Sequence, residues 1–157
     1  MKLLILGLGN ELLSDDAVGV LAARALKERL KDKADVVESA LSGMALLDLL
    51  IGYERAIIID AVQTRRAPPG TIYELTPADL GAGAAPSPHY AGLPELIATA
   101  HALKLNFPKE IKIFAMEVAD PYTIGGTPSP AVAQALKELI QRVEAQATHW
   151  LASYPRA

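Results

Sequence analysis

Cysteine is absent from the 157 residues of this chain. Its absence excludes disulfide bonds, metal sites built from thiolates, and a cysteine nucleophile. The sequence also lacks an apolar run of membrane-spanning length, and its N-terminus lacks the basic and apolar regions of a signal peptide. These absences predict a cytoplasmic protein with no membrane partner.

Positively charged residues are also fewer than negatively charged ones. The chain has 15 Lys and Arg against 18 Asp and Glu, which gives a formal net charge of −3. This balance argues against a protein whose main role is to bind nucleic acid. The length suits one domain, and the 51% hydrophobic content is enough to bury a core. We therefore expect a single domain over residues 1–157 that acts as a monomer.

Stretches with strand character alternate with stretches of helical periodicity along the chain. The predicted strands span residues 2–9, 34–40, 55–62, 71–77 and 110–118, and the predicted helices span residues 16–31, 42–53, 93–105 and 130–150. The runs "KLLILGLG" and "RAIIIDAV" are typical of strands buried on both faces, whereas "TIYELTP" alternates like an edge strand. The pattern predicts an α/β fold, a three-layer sandwich with a twisted, mostly parallel sheet and helices on both faces.

The segment "GLGNELLSDDAVGV" that follows the first strand resembles a nucleotide-binding loop only in part. Leu12 stands where a dinucleotide fingerprint requires a third glycine. Asp15 and Asp16 would repel phosphate at the start of the helix, where a nucleotide site needs to attract it. Carboxylates at this position commonly cap a helix, and we expect Asp15 to do so.

Asp16 and Asp60 both follow or end predicted strands that we expect to be neighbours. Ligands of open α/β sheets bind in the crevice beyond the carboxyl ends of the strands, so the two carboxylates are expected to meet there. Asp60 has an alternative structural role, in which it accepts backbone N–H groups of the following turn.

His89 is the third candidate, in the Gly- and Pro-rich stretch that contains "SPHYAG". The other two histidines, His101 and His149, fall in predicted helices. A loop histidine is usually just exposed to solvent. Together with two convergent carboxylates, however, its imidazole completes a ligand set that suits a divalent metal such as nickel or zinc.

Four segments of the chain resemble the nickel–iron hydrogenase maturation proteases. They are "LILGLGNELLSDDAVGV", "AIIIDAV" followed by "PPGTIYEL", "SPHYAGL" and "TIGGTPSPAV", and they occur in the family's order from Met1 to about Val143. The resemblance implies an α/β sandwich and an endopeptidase. Members of the family remove a C-terminal peptide from the precursor of the hydrogenase large subunit after nickel has been inserted.

The resemblance assigns roles to individual residues. It implies that Asp16, Asp60 and His89 are catalytic and contact nickel held by the substrate, although another divalent ion could occupy the site. The metal would act as a recognition signal or as a Lewis acid. The residues predicted to bind the substrate are Gly9, Asn10, Glu38, Ser39 and Gly43.

One segment departs from the family pattern. The family commonly has Asp-Gly-Gly-Thr-x-Gly after the second strand, and this chain has "ESALSG" at 38–43. Glu38 keeps the acid or simply ends the strand, and the loss of the glycine pair is expected to stiffen the segment. Two hypotheses follow: the protein is a nickel-dependent endopeptidase, or it is a non-cleaving nickel-binding checkpoint or chaperone for hydrogenase assembly.

Overall fold

The secondary structure alternates strands and helices, as the sequence predicts. The computed structural model describes residues 2–80 and 92–153. The strands are β1 Leu3–Leu8, β2 Asp35–Ser39, β3 Arg55–Val62, β4 Ile72–Leu75 and β5 Glu110–Glu117. The α-helices are α1 Val18–Arg29, α2 Leu46–Leu50, α3 Leu93–Ala102 and α4 Pro130–Ser153. Short 3₁₀ turns cover Ser14–Ala17, Gly43–Ala45 and Pro77–Leu80.

The five strands form one sheet in the order β2-β1-β3-β5-β4. β1 is parallel to β2 and to β3, and β3 is parallel to β5. β4 lies at one edge and is antiparallel to β5. The mostly parallel sheet, the pairing of β1 with β3 and the edge position of β4 are therefore confirmed.

Helices cover the sheet on both faces, because alternate residues of the buried strands point to opposite sides. On one face, Ile5 and Ile57 belong to a core that includes residues of α1 and α4. On the other face, Leu6 and Ile58 belong to a core that includes residues of α2 and α3. The predicted three layers are confirmed.

Gly19 lets α1 pack closely against the carboxyl ends of two strands. A Cβ atom on this residue would lie 2.3 Å from the carbonyl oxygen of Leu8 in β1 and 2.6 Å from that of Ile59 in β3. Only a residue without a side chain allows this approach. As a result, the 3₁₀ turn that precedes α1 lies at the carboxyl edge of the sheet.

Three helices are shorter than predicted, among them α3, which ends at Ala102 rather than at Leu105. α1 begins at Val18 rather than at Asp16, because residues Ser14–Ala17 form a 3₁₀ turn. In that turn the N–H of Asp15 donates to the carbonyl of Asp120, 2.8 Å away, in a distant loop. α2 ends at Leu50 and follows a 3₁₀ turn, since Gly43 and Gly52 take left-handed φ values of 59° and 93°. Within the described ranges, no helix has both the length and the apolar character that crossing a bilayer requires.

Candidate active site

The loop after β1 orients the side chain of Asp16. The N–H of Asn10 donates a hydrogen bond to Asp16 Oδ2 at 2.9 Å, and Asn10 Oδ1 accepts one from the N–H of Leu12. Gly9, with a φ of 145°, brings the turn so close that a Cβ atom there would lie 2.1 Å from the carbonyl oxygen of Asp16. Asp16 is half-buried. The glycine turn therefore sets the direction of a carboxylate instead of binding phosphate.

Asp60 lies in β3, on the face of the sheet that α2 and α3 cover, and its side chain is fully buried. Its Oδ1 accepts a hydrogen bond from the N–H of Ala61 at 2.8 Å. Because Gly7 pairs with Ile59 across the two strands, Asp60 is level with Leu8, the last residue of β1. The loop that carries Asp16 departs from the same level of the sheet.

The structure thus brings Asp16 and Asp60 to one edge of the sheet on adjacent elements. The third predicted ligand, His89, lies outside the described residues. Across residues 2–80 and 92–153, no group of three or more His, Asp or Glu side chains is arranged to hold a metal ion. Two carboxylates and an imidazole remain a donor set that divalent first-row metals accept.

An open groove of about 300 Å³ runs beside the loop after β1. Four of the five residues predicted to bind substrate line it, namely Gly9, Asn10, Glu38 and Ser39. The N–H of Gly9 donates to the carbonyl of Ser39 at 3.0 Å, which joins the ends of β1 and β2 under the groove. Gly43 is not among the lining residues and instead begins a 3₁₀ turn.

Arg24 of α1 holds the two acids of this groove together. Its Nε donates to Glu38 at 3.0 Å, and its Nη2 forms an ion pair with Glu11. The hydrogen bond to Glu38 and then that to Glu11 raise the pKa of the Arg24 guanidinium above its usual value. Glu38, the residue before the end of β2, is therefore ion-paired on the groove wall. With two acids and one base, this cluster has one excess negative charge.

Asp15 does not cap the helix, and that prediction is wrong. Neither the 3₁₀ turn nor α1 has a side-chain cap at its N-terminus. The Asp15 carboxylate is fully buried and accepts hydrogen bonds from the segment between β5 and α4. The donors are the N–H groups of Ala119 at 3.0 Å, Asp120 at 2.8 Å and Ser129 at 2.7 Å, with the Ser129 hydroxyl at 3.0 Å. Asp15 therefore anchors the Asp16 turn to a loop more than a hundred residues away.

Glu117 at the end of β5 is a third buried carboxylate, after Asp15 and Asp60, and sequence reasoning did not single it out. Its side chain accepts hydrogen bonds from the N–H and hydroxyl of Thr64 and from the hydroxyl of Tyr73. Burial alone would raise the pKa of Glu117, but the bonds from Thr64 and Tyr73 outweigh it and lower that pKa. No local pattern reveals Glu117 or the anchoring by Asp15, because the partners are 44 to 114 residues apart in the chain.

Comparisons with known proteins agree with this architecture. The sequence model of the family described as HycI, hydrogenase maturation protease, matches residues 20–146. The chain is 32% identical over 167 residues to the hydrogenase 2 maturation protease of Escherichia coli strain K12, which covers 95% of this chain and 99% of that relative.

Solved structures give the same result. The hydrogenase maturating endopeptidase HybD from E. coli superposes with a TM-score of 0.81 at 27% identity, covering 95% of this chain and 93% of that one. The [NiFe] hydrogenase maturation protease HybD from Thermococcus kodakarensis superposes with a TM-score of 0.73 at 28% identity, covering 94% and 99%. The match to the family extends over most of the sequence and the fold, and the chain therefore belongs to the hydrogenase maturation proteases, which are peptidases.

Proposed function

We propose that this protein removes the C-terminal extension from the precursor of a [NiFe] hydrogenase large subunit that already holds nickel. The observation that carries the proposal is the position of Asp16 and Asp60. In a chain of the maturation protease family, Asp60 is level with the last residue of β1, and the loop that follows this residue leads to Asp16. A non-cleaving checkpoint is less favoured, because the relatives that match along the chain are named as proteases and endopeptidases.

In this proposal, Asp16, Asp60 and His89 contact the nickel of the substrate and are the catalytic residues. The hydrogen bonds from Asn10 to Asp16 and from Ala61 to Asp60 support it, because they hold each carboxylate in one orientation before the substrate arrives. The nickel would mark a correctly loaded precursor or polarise the scissile carbonyl. The residues of this chain bind and orient that centre.

The groove beside the Asp16 turn is the proposed binding site for the peptide that leads to the scissile bond. Gly9, Asn10, Glu38 and Ser39 line it, and its excess negative charge suits a cationic or metal-bearing substrate. We further propose that the reaction takes place in the cytoplasm and that the protein acts as a monomer.

The test is incubation of the purified protein with nickel-loaded precursor, followed by mass spectrometry of the large subunit. We expect loss of the C-terminal extension, and no loss from precursor prepared without nickel. The matched control is the same reaction with a homologous protease of known activity. An intact extension under conditions in which the homologue cleaves would contradict the proposed peptidase activity on that precursor. Equal cleavage with and without nickel would contradict the dependence on the metal.

A further inference from the structure

The exposed large hydrophobic side chains are concentrated at one edge of the sheet. Seven such side chains are exposed in the described part of the chain. Five of them lie on loops that follow parallel strands: Leu12 after β1, Leu41 and Met44 after β2, and Tyr122 and Ile124 after β5. We call these five residues the apolar rim. The other two, Ile51 and Leu103, precede β3 and β5 and so lie at the opposite edge.

The apolar rim flanks the candidate active site. In the sheet order, β3 with Asp60 lies between β1 and β5, so rim residues follow the strands on both sides of Asp60. Leu12 lies on the same loop as Asp16. Leu12, Tyr122 and Ile124 are 64%, 72% and 79% exposed. Exposed apolar surface collected around a site, rather than scattered singly, is typical of a protein interaction surface.

The backbone under the rim is well ordered by hydrogen bonds. The N–H of Gly125 donates to the carbonyl of Leu12 at 2.8 Å, and that of Ser14 donates to the carbonyl of Thr123 at 2.9 Å. Leu13 and Ile124 form an antiparallel bridge between the two loops. These contacts, together with the buried carboxylate of Asp15, fix the backbone of the two loops that carry Leu12, Tyr122 and Ile124. The exposure of these side chains is therefore a consequence of a defined backbone conformation.

We propose that the apolar rim is the docking surface for the folded body of the large-subunit precursor. This inference rests on the proposed function and specifies how the substrate is held. The peptide to be cut belongs to a large protein, so the protein surface around the scissile segment must cover the edge of the sheet where Asp16 and Asp60 lie. Apolar side chains of the precursor would contact the rim while its C-terminal segment reaches the groove.

Two other occupants fit the rim less well. A second copy of this chain on the rim would cover the edge that a substrate has to reach. An anionic membrane surface is less suitable, because the acids Glu11, Glu38 and Asp120 at this edge offset the bases Arg24, Arg65 and Arg66. The edge therefore has no excess positive charge to attract anionic lipid. The precursor is therefore the occupant that the arrangement favours.

The experiment measures the affinity of the protein for nickel-loaded precursor by biolayer interferometry. The variant Tyr122→Ser with Ile124→Ser is expected to bind about tenfold more weakly than the wild type, since well-placed interface side chains contribute at least that much. Leu12→Ser is expected to weaken binding in the same direction. The matched control is Leu103→Ser, because Leu103 is 63% exposed at the opposite edge. Its affinity should equal that of the wild type.

Further readouts separate docking from folding and from charge attraction. The thermal unfolding midpoints of all variants should stay close to that of the wild type, and Ile124→Leu should retain binding. The loss of affinity caused by the rim substitutions should be nearly the same at 0.1 and 1 M NaCl, because apolar contacts are not screened. Rim variants that bind as tightly as Leu103→Ser would overturn the proposal, as would sedimentation that shows a dimer dissociated by the same substitutions.

The outcomes also distinguish this proposal from the proposed function. Wild-type protein that binds the precursor without cleaving it, with binding lost in the rim variants, would contradict the peptidase activity and support the rim. Cleavage by the wild type with unchanged binding in the rim variants would contradict the rim alone. Absence of any binding by the wild type would contradict both.

Discussion

Two adjacent carboxylates, Asp15 and Asp16, have opposite environments although they differ by one position. Asp15 is fully buried and surrounded by N–H and hydroxyl donors of residues 119–129. Asp16 is half-buried and accepts a hydrogen bond from Asn10 beside the groove. The first residue holds the structure together, and the second is the residue proposed to contact the metal of the substrate. Substitution by the isosteric amide should separate these two roles.

Asp16→Asn is expected to abolish processing of the precursor and to leave the stability nearly unchanged. The amide removes the charge that a metal centre would need, and substitution at a half-buried loop position usually costs little stability. Cleavage assays and thermal unfolding of the same preparation provide the measurement, and His89→Ala is expected to behave alike. A collapse of the thermal midpoint would identify Asp16 as a structural residue.

Asp15→Asn is expected to lower the free energy of unfolding by about 1–3 kcal/mol, because buried N–H donors lose their charged acceptor. In the variant, an amide nitrogen replaces one of the two carboxylate oxygens. It would face N–H or hydroxyl donors at that position and cannot accept hydrogen bonds from them. Denaturant unfolding of the wild type and the variant measures the difference. A variant as stable as Asp16→Asn would show that the anchoring contributes little.

Glu117→Gln tests a buried carboxylate through its pH dependence. The pKa of Glu117 is lowered in the folded protein, so the charged form stabilises the fold above the unfolded-state pKa of about 4.3, and this contribution is lost as pH falls through the folded-state pKa. The variant should be about 1–3 kcal/mol less stable than the wild type at pH 7. The difference in stability should narrow as the pH falls below that unfolded-state pKa and through the folded-state pKa. A gap that is constant with pH would exclude the carboxylate charge as its cause.

At the scale of elements, the close packing of α1 on the sheet decides where the candidate site lies. Gly19 faces backbone oxygens of both β1 and β3, and neither oxygen has the freedom of a flexible side chain to move away. The position of the Asp16 turn over the carboxyl edge depends on this contact. A single methyl group at Gly19 therefore probes the packing of the whole helix.

Gly19→Ala is expected to destabilise the protein. The higher helix propensity of alanine stabilises the variant by about 1 kcal/mol relative to glycine. Overpacking costs about 1–3 kcal/mol, and we expect a cost at the upper end of that range because the neighbouring atoms are rigid backbone. Gly126→Ala is the matched control, because a Cβ atom there would meet nothing closer than 3.4 Å. Chemical denaturation of both variants gives the comparison. Equal stability of the two would contradict the packing argument.

The elements differ in how far their sequence determines them. The runs that became β1 and β3 were predictable, because strands buried on both faces need continuous apolar side chains. α2 was predicted too long, since left-handed glycines at 43 and 52 interrupt a pattern that is helical in period. The placement of Asp60 and of the loop that carries Asp16 at the same edge of the sheet was predictable from strand order. The anchoring role of Asp15 did not, because its partners become neighbours only after the sheet and α4 have formed.

For the molecule as a whole, the two hydrophobic cores share one sheet. Residues of β1 and β3 alternate between the cores, so neither core can lose its packing without exposing the other face of the same strands. We expect the 157 residues to unfold in one cooperative transition. Circular dichroism and intrinsic fluorescence of Trp150, which belongs to only one core, should give the same midpoint. Two separate midpoints would contradict the prediction of a single domain.

Because Asp15 anchors the loop after β5 mainly through main-chain groups, the conformation of that loop does not depend on the side chains that it exposes. Three of the four hydrogen bonds to Asp15 come from main-chain N–H groups, at Ala119, Asp120 and Ser129. Positions 122 and 124 contribute no side-chain atom to that carboxylate, so their identity can change while the loop keeps its conformation. The backbone can therefore stay fixed while the side chains at positions 122 and 124 change the preference for a partner. Exchange of these two side chains between relatives is a direct way to change which precursor the protease binds.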